Sequence, residues 1–358
     1  MIRVLLAELT LICALAAAPT GVSFSQPAGK VEAYDFVEIV ATVAHPDAAN
    51  PFMDATLTGS FGKAGAQERT PVDGFCDAAD GSVFRIRFMP SSAGNYTYSL
   101  SYKQGAYEKT QSGAFEAVAS GRRGPIRVDP AYPWHFIWEG TQQHYFFNGT
   151  TAFWLMGWRD EREIDSILDR FVRLEVNRAR VLLSGRTYTM YGEPVMNTAD
   201  WTLYLSPWPA VDATDYLRPG FDYTRFRLEH WQRFDRMLRY ARERNIIISV
   251  ILDINDGHAH MVAGGDDEHR YIRYATARLG AFSNITWDLG DDLDAFRNDQ
   301  WAHETGTLLE SWDPYHHLAT SHPIHGEHQD RGSAWFGFTS IQEWGRTQHA
   351  LMLEGRQL

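Results

Sequence analysis

The 358-residue chain carries a net charge of −12, with 44% hydrophobic and 13% aromatic residues. That apolar share can fill real cores and excludes a globally disordered chain. No run of Lys or Arg offers the basic surface that phosphate backbones or anionic lipids need, which argues against nucleic acid as a partner.

At the N-terminus, Arg3 precedes an apolar run from Leu9 to Ala18 that ends in three alanines. This is the layout of a secretory signal, with a small-residue cut near Ala18 or later near Ser25. Residues 1–25 are therefore read as a signal peptide and the protein as secreted or periplasmic. With Glu8 counted, the run is too short for a membrane span. Once Cys13 leaves with the signal, Cys76 stands alone, so no intrachain disulfide is expected.

Residues 26–120 read as an Ig-like β-sandwich. Phe84-Arg85-Ile86-Arg87-Phe88 and Tyr96-Thr97-Tyr98-Ser99-Leu100-Ser101-Tyr102 alternate, as strands with one buried face do. Turn residues at Asn50-Pro51, Asp80-Gly81 and Pro90–Asn95 separate the runs. Residues 121–134, opening on Gly121-Arg122-Arg123-Gly124-Pro125, are read as a linker. A hairpin follows, with Phe136-Ile137-Trp138 and Tyr145-Phe146-Phe147 as its arms.

The pattern then switches to alternating strands and helices, the mark of a parallel sheet. A first strand is expected over 151–155. A helix follows over 161–174, on the stripe Ile164, Ile167, Leu168, Phe171 and Val172. The second strand, 177–183, leads through an aromatic insertion with Trp201 and Trp208 to a helix marked by Trp231, Phe234, Leu238 and Ala241. A continuous apolar strand at 246–252, a helix near 267–282 and a strand from Asn284 come next. A helix marked by Trp301, Leu308 and Trp312, strands at 317–322 and 336–344, and a last helix from Arg346 complete six βα units. The fold class is a β-sandwich followed by an α/β (β/α)8 TIM barrel over 135–358 that lacks its last two units, since a closed barrel takes eight.

Barrel strands deliver catalytic groups at their C-terminal ends. Asn284-Ile285-Thr286-Trp287-Asp288-Leu289-Gly290-Asp291-Asp292 does this with adjacent carboxylates, and glycoside cleavage works with two. Strict alternation turns Asp291 and Asp292 to opposite faces, so one of them is expected at the mouth; the plain structural role for either is a helix cap. The third strand ends in Asp253-Ile254-Asn255-Asp256-Gly257-His258-Ala259-His260. We read it as a polar mouth loop contacting sugar hydroxyls through Asp253, Asn255 and His258. The alternative is a metal-dependent hydrolase built on Asp253, His258 and His260. His322 can face the pocket, and Trp344 can stack on a sugar. No metal or cofactor is expected, and oligomeric state is not readable.

The fourth-strand stretch resembles that of clan A glycoside hydrolases, Trp-x-x-Gly-Asn-Glu, and of their apiosidase-like relatives (domain of unknown function 4038 type), Trp-x-x-Gly-Gly-Asp. Asn177-Arg178-Ala179-Arg180 resembles the second-strand Asn-x-x-Arg of that clan. Asn50-Pro51-Phe52, Gly74-Phe75-Cys76-Asp77 and Arg85–Pro90 with Gly94 resemble the sandwich called domain of unknown function 5060. The resemblance implies a carbohydrate substrate, a retaining mechanism and Asp292 as acid/base. It also implies a substrate contact at Asp291, where the first pattern has Asn, and a place for Arg180 among the substrate-site residues as the conformational support of the nucleophile. The clan's nucleophile is a Glu on strand seven, beyond the six strands counted; Glu343 is the candidate within the chain. The competing implication is a non-catalytic carbohydrate-binding or truncated, inactive protein.

Overall fold

The computed structural model describes residues 19, 21–26, 28–184, 198–202, 206–215, 219–253, 261–324, 332–342, 350 and 353. Nine strands build the first domain: β1 (Gly21–Ser25), β2 (Lys30–Glu32), β3 (Val37–Ala44), β4 (Ala55–Lys63), β5 (Thr70–Asp73), β6 (Phe75–Cys76), β7 (Val83–Phe88), β8 (Gly94–Gln104) and β9 (Tyr107–Val118), with a one-turn helix α1 (Pro51–Asp54) before β4. They form two sheets, β1-β3-β7-β6 and β2-β9-β8-β4-β5. Period-2 alternation sends Val37, Ile39, Ala41 and Val43 of one sheet, and Tyr96, Tyr98, Leu100 and Tyr102 of the other, into a shared core. Phe61 and Phe88 stack across it at 4.6 Å. A Cβ on Gly59 would come within 2.7 Å of Ile86 and 2.8 Å of Leu100, so the core closes only around glycine there.

Two expected boundaries move. Gly21–Ser25 is a strand paired antiparallel with Val40–Ala44, so the first domain starts before residue 26. The alternation of Val22 and Phe24 with small residues is too short to stand out from the apolar run before it. A cut near Ala18 leaves this strand whole, whereas one near Ser25 removes it. The expected linker is also structured. Its β10 (Ile126–Val128) pairs with β11 (Phe136–Trp138), which pairs with β12 (His144–Tyr145). Ile126, Trp138 and Tyr145 pack on Ile247 and Leu318, which lie at the entry ends of parallel strands.

Five parallel strands follow in sequential order: β13 (Gly149–Thr151), β14 (Arg178–Leu182), β15 (Ile247–Ile251), β16 (Ile285–Asp291) and β17 (Ala319–His322). Helices α2 (Glu161–Arg173), α3 (Leu228–Arg242), α4 (Asp266–Leu279) and α5 (Asp299–Trp312) connect them. The first strand ends earlier than expected, because Leu155–Gly157 winds into a 3-10 turn while Phe153 and Trp154 fold back onto Leu182 and Ile251. The expected strand at 336–344 is represented among the described residues by a single parallel bridge, Phe336 to Ala319. One face of the parallel sheet is apolar and covered by helices, through Val181, Ile248, Val250, Trp287 and Leu289. The register puts Arg180, Ser249 and Thr286 side by side on the other face, followed by Asp288 and Thr320. A buried face this polar is costly unless its groups are paired.

The two domains are welded together. Phe36, Phe75 and Met89 of the first join the core of the second. Arg87 binds Asp235 at 2.8 Å and Glu38 at 2.7 Å, while Arg278 binds the same Asp235 at 2.9 Å and Asp77 at 2.8 Å. Burial pushes the Asp235 carboxyl up, but Arg87 and Arg278 outweigh it and hold the group below its ordinary value.

Candidate active site

The site grows from the end of β16. Between Asp288 and Asp291 the pairing with β17 slips, so that Asp288 faces Thr320 and Asp291 faces His322. Three steps on one strand thus match two on its neighbour, which is a bulge. A Cβ on Gly290 would lie 2.7 Å from Leu293 and 3.0 Å from the Asp253 carbonyl, so this bend needs glycine. Asp292 then takes φ 56°, ψ 37°, a left-handed conformation that Asp tolerates better than most residues. Bulge and left-handed residue together cancel the alternation. Asp288, Asp291 and Asp292 gather on one side, where strict strand geometry predicted that Asp291 and Asp292 would part.

Arg180, on β14, is the cation between them. Its Nη2 donates to Asp288 Oδ2 at 2.8 Å and to Asp291 Oδ1 at 2.9 Å, and its Nε reaches Asp288 Oδ2 at 3.1 Å. His322, at the end of β17, brings Nδ1 to 3.0 Å from Asp291 Oδ1 and 3.9 Å from Asp292 Oδ1. Burial raises the Asp291 carboxyl, but the hydrogen bond from His322 and the Arg180 charge outweigh it, leaving it below the ordinary value. Asp292 goes the other way. Burial first, then the Asp291 charge, push its carboxyl above the ordinary value against the pull of His322. Neighbouring carboxyls driven apart in this way divide into a standing anion and a proton carrier.

Asp292 is 24% exposed, yet its Oδ1 is buried and has no hydrogen-bond partner among the described residues. It occupies the cap position of the short 3-10 helix Leu293–Ala295 without capping it through its side chain, and α5 is capped instead by Asn298. The carboxyl is therefore not committed to holding a helix end. Asp291, Asp292 and His322 offer ligand atoms within 4.8 Å of one another, close enough to surround a metal ion. The guanidinium of Arg180, 2.9 Å from Asp291 Oδ1, opposes a dication there, and the arrangement suits proton transfer better.

Of the other residues read from the sequence, Asp253 is buried and salt-bridged to Arg297 at 3.1 Å. Arg297 in turn holds Glu268 at 2.9 Å. This is a brace under the site, and its backbone reinforces it: the Asp253 carbonyl accepts from the Asp291 amide. Arg180 likewise serves the carboxylates and is buried behind them. Asn255, His258, Glu343 and Trp344 lie outside the described residues. So does His260 of the metal alternative. Trp208 is buried against Tyr223 and Tyr271 as a packing residue. Asp288 was missed as a site residue. Its inward parity with Thr286 could have revealed it, because a fully buried acid on a strand needs a counter-charge.

Residues 136–354 match the family described as "Apiosidase-like, catalytic domain", and residues 30–103 match the domain of unknown function DUF5060. Among solved structures, one from Bacteroides vulgatus ATCC 8482, described by inference as a glycoside hydrolase, superposes with TM-score 0.72 at 23% identity over 86% of this chain. The chain spans 58% of that protein's length. A glycoside hydrolase family 5 structure from the same organism gives TM-score 0.44 at 19% identity, over 63% of this chain and 45% of its own. No curated protein matches the chain. An N-terminal two-sheet domain followed by an α/β domain with carboxyls at its strand ends is the fold class that the chain shares with the first of these structures. Within that class, the chain belongs to the apiosidase-like family.

Proposed function

We propose that this protein hydrolyses glycosidic bonds in a poly- or oligosaccharide outside the cytoplasm, with retention, and that its parallel sheet is part of a (β/α)8 barrel. Asp292 protonates the departing glycosidic oxygen and then, as its conjugate base, draws a proton from water. A second carboxylate attacks the anomeric carbon and stands about 5–5.5 Å from Asp292. The family resemblance assigns it to a strand-seven Glu, and Glu343 is the alternative within this sequence. Asp291, held by Arg180 and His322, stays ionised and stabilises the neighbouring proton on Asp292. Export fits a first domain whose opening strand follows the apolar leader directly.

The observation that carries this reading is the buried Oδ1 of Asp292, which has no hydrogen-bond partner among the described residues, beside an anchored anion. The test is the release of reducing ends from soluble plant polysaccharides by the chain and by Asp292→Asn. General acid–base groups contribute about 10²–10⁴-fold, so Asp292→Asn should lose at least a hundredfold in kcat. Undiminished turnover removes Asp292 from the mechanism. Saccharide binding without turnover in both proteins favours the non-catalytic reading instead.

A further inference from the structure

The outer face of the second sheet of the first domain has no part in the site above, and its composition is unusual for a solvated face. The register aligns Ser60, Ser99 and Ser112 in one row across β4, β8 and β9, and Thr58, Ser101 and Thr110 in the next. With Pro71 and Asp73 of β5 the rows span four strands, about 14 Å at a strand spacing of ~4.8 Å. The hydroxyls of Thr58, Ser99, Thr110 and Ser112 have no hydrogen-bond partner among the described residues.

These short side chains leave a trough of about 550 Å³. Its wall comes from the other domain: Trp312 at the end of α5, and Arg273 of α4, salt-bridged to Asp73 at 2.6 Å. The Trp312 ring is half-buried, and its indole N–H makes no hydrogen bond among the described residues. Past Trp312 the trough meets a second cleft of about 390 Å³ lined by Phe52, Phe226 and His269.

The chemistry selects among occupants. The charged lining residues of the trough are Asp73 and Arg273, which neutralise each other, so neither polyanions nor acidic peptides are favoured. Rows of hydroxyls give a second copy of the chain little apolar area to bury. Free hydroxyls that both donate and accept, bordered by the Trp312 indole, complement a neutral sugar chain, whose edges are hydroxyls and whose ring faces are apolar. We propose that this trough, floored by the first domain, is an auxiliary saccharide-binding site that holds a neutral stretch of polysaccharide. The choice of a saccharide rests on the glycosidase reading above.

The test is affinity electrophoresis of the full chain carrying Asp292→Asn, in native gels containing xylan, galactomannan, xyloglucan or hydroxyethylcellulose, one at a time. At least one polysaccharide should retard the protein. Adding Ser99→Lys, an exposed strand position where folding is not at stake, should weaken that retardation at least tenfold. Trp312→Ala should act in the same direction. No retardation by any of the four overturns the proposal, as does retardation unchanged by Ser99→Lys. A dimer by sedimentation that Ser99→Lys dissociates, with no saccharide effect, assigns the face to a second copy and also overturns it. If the wild-type chain releases no reducing ends but Ser99→Lys-sensitive retardation persists, the glycosidase reading falls and the auxiliary site stands.

Discussion

Asp291→Asn is the sharpest probe of the acid cluster, because it alters charge while nearly preserving shape. It also restores the Asn found at this position in the clan A pattern. The ligand atoms of Asp291 and Asp292 lie within 4.8 Å. At the outer limit of that range two unit charges repel by about 3.5 kcal/mol at an effective dielectric of ~20, and by about 0.9 kcal/mol in bulk water. Asp292 is partly exposed, so solvent screening brings the repulsion toward the lower of these figures. The sign follows from the geometry. The Asp291 charge disfavours ionised Asp292, so its removal lowers the Asp292 pKa. The freed Arg180 charge acts in the same direction. A general acid works only while protonated, so the basic limb of kcat/KM should move toward lower pH. A ¹³C-carboxyl titration of Asp292 reads the same shift without turnover. If both limb and titration stay in place or move upward, Asp291 does not tune Asp292 and the division of labour proposed here is wrong.

Other consequences can be checked on stability and reactivity. Asp235→Asn removes the anion shared by buried Arg87 and Arg278, and breaking a buried pair costs about 3–5 kcal/mol. Because that network joins the domains, calorimetry should show one cooperative transition in the wild-type chain and a Tm lower by about 10 °C in the variant; an unmoved Tm would mean the network is incidental. Burial, followed by the charge of Arg227, pushes His230 down to about 3. The unfolded chain therefore binds a proton below pH ~6.5 that the folded one refuses, and about 2 kcal/mol should be lost by pH 5. Asp313, raised by burial but pulled down to about 2 chiefly by His317, adds a further loss between pH ~4 and 2. Urea midpoints equal at pH 7 and pH 5 would contradict the His230 assignment. Burial pushes the Cys76 thiol up to about 12, so iodoacetamide should modify it only when the chain unfolds, and fast labelling of native protein would refute its placement.

What could be read from the chain alone was what local period encodes. The alternating runs Phe84–Phe88 and Tyr96–Tyr102 and the Ile164–Leu168 stripe are strands and a helix as expected. Strand β1 was missed because two apolar residues beside the apolar run Leu9–Ala18 carry little periodic signal. Strand β10 was missed because three residues after a Gly-Pro turn read as linker until β11 is there to pair with them.

The acid cluster marks a different limit. Asp291 and Asp292 were visible as strand-end carboxyls, but their convergence depends on a bulge defined against β17 and on one left-handed residue. Neither is written in the period of β16 itself. Asp288 is more telling. Taken alone it is a polar residue in an apolar strand, which argues against burial; beside Arg180, 108 residues earlier, it is the counter-charge that makes burial affordable. Charge on a buried strand face can be interpreted only with the neighbouring strands in register. The same holds for Arg87, whose ionic partner Asp235 lies 148 residues away. The residues that tune the proposed chemistry and those that join the two domains were therefore hidden for one reason: their energetics belong to pairs, and the pairs are made by topology.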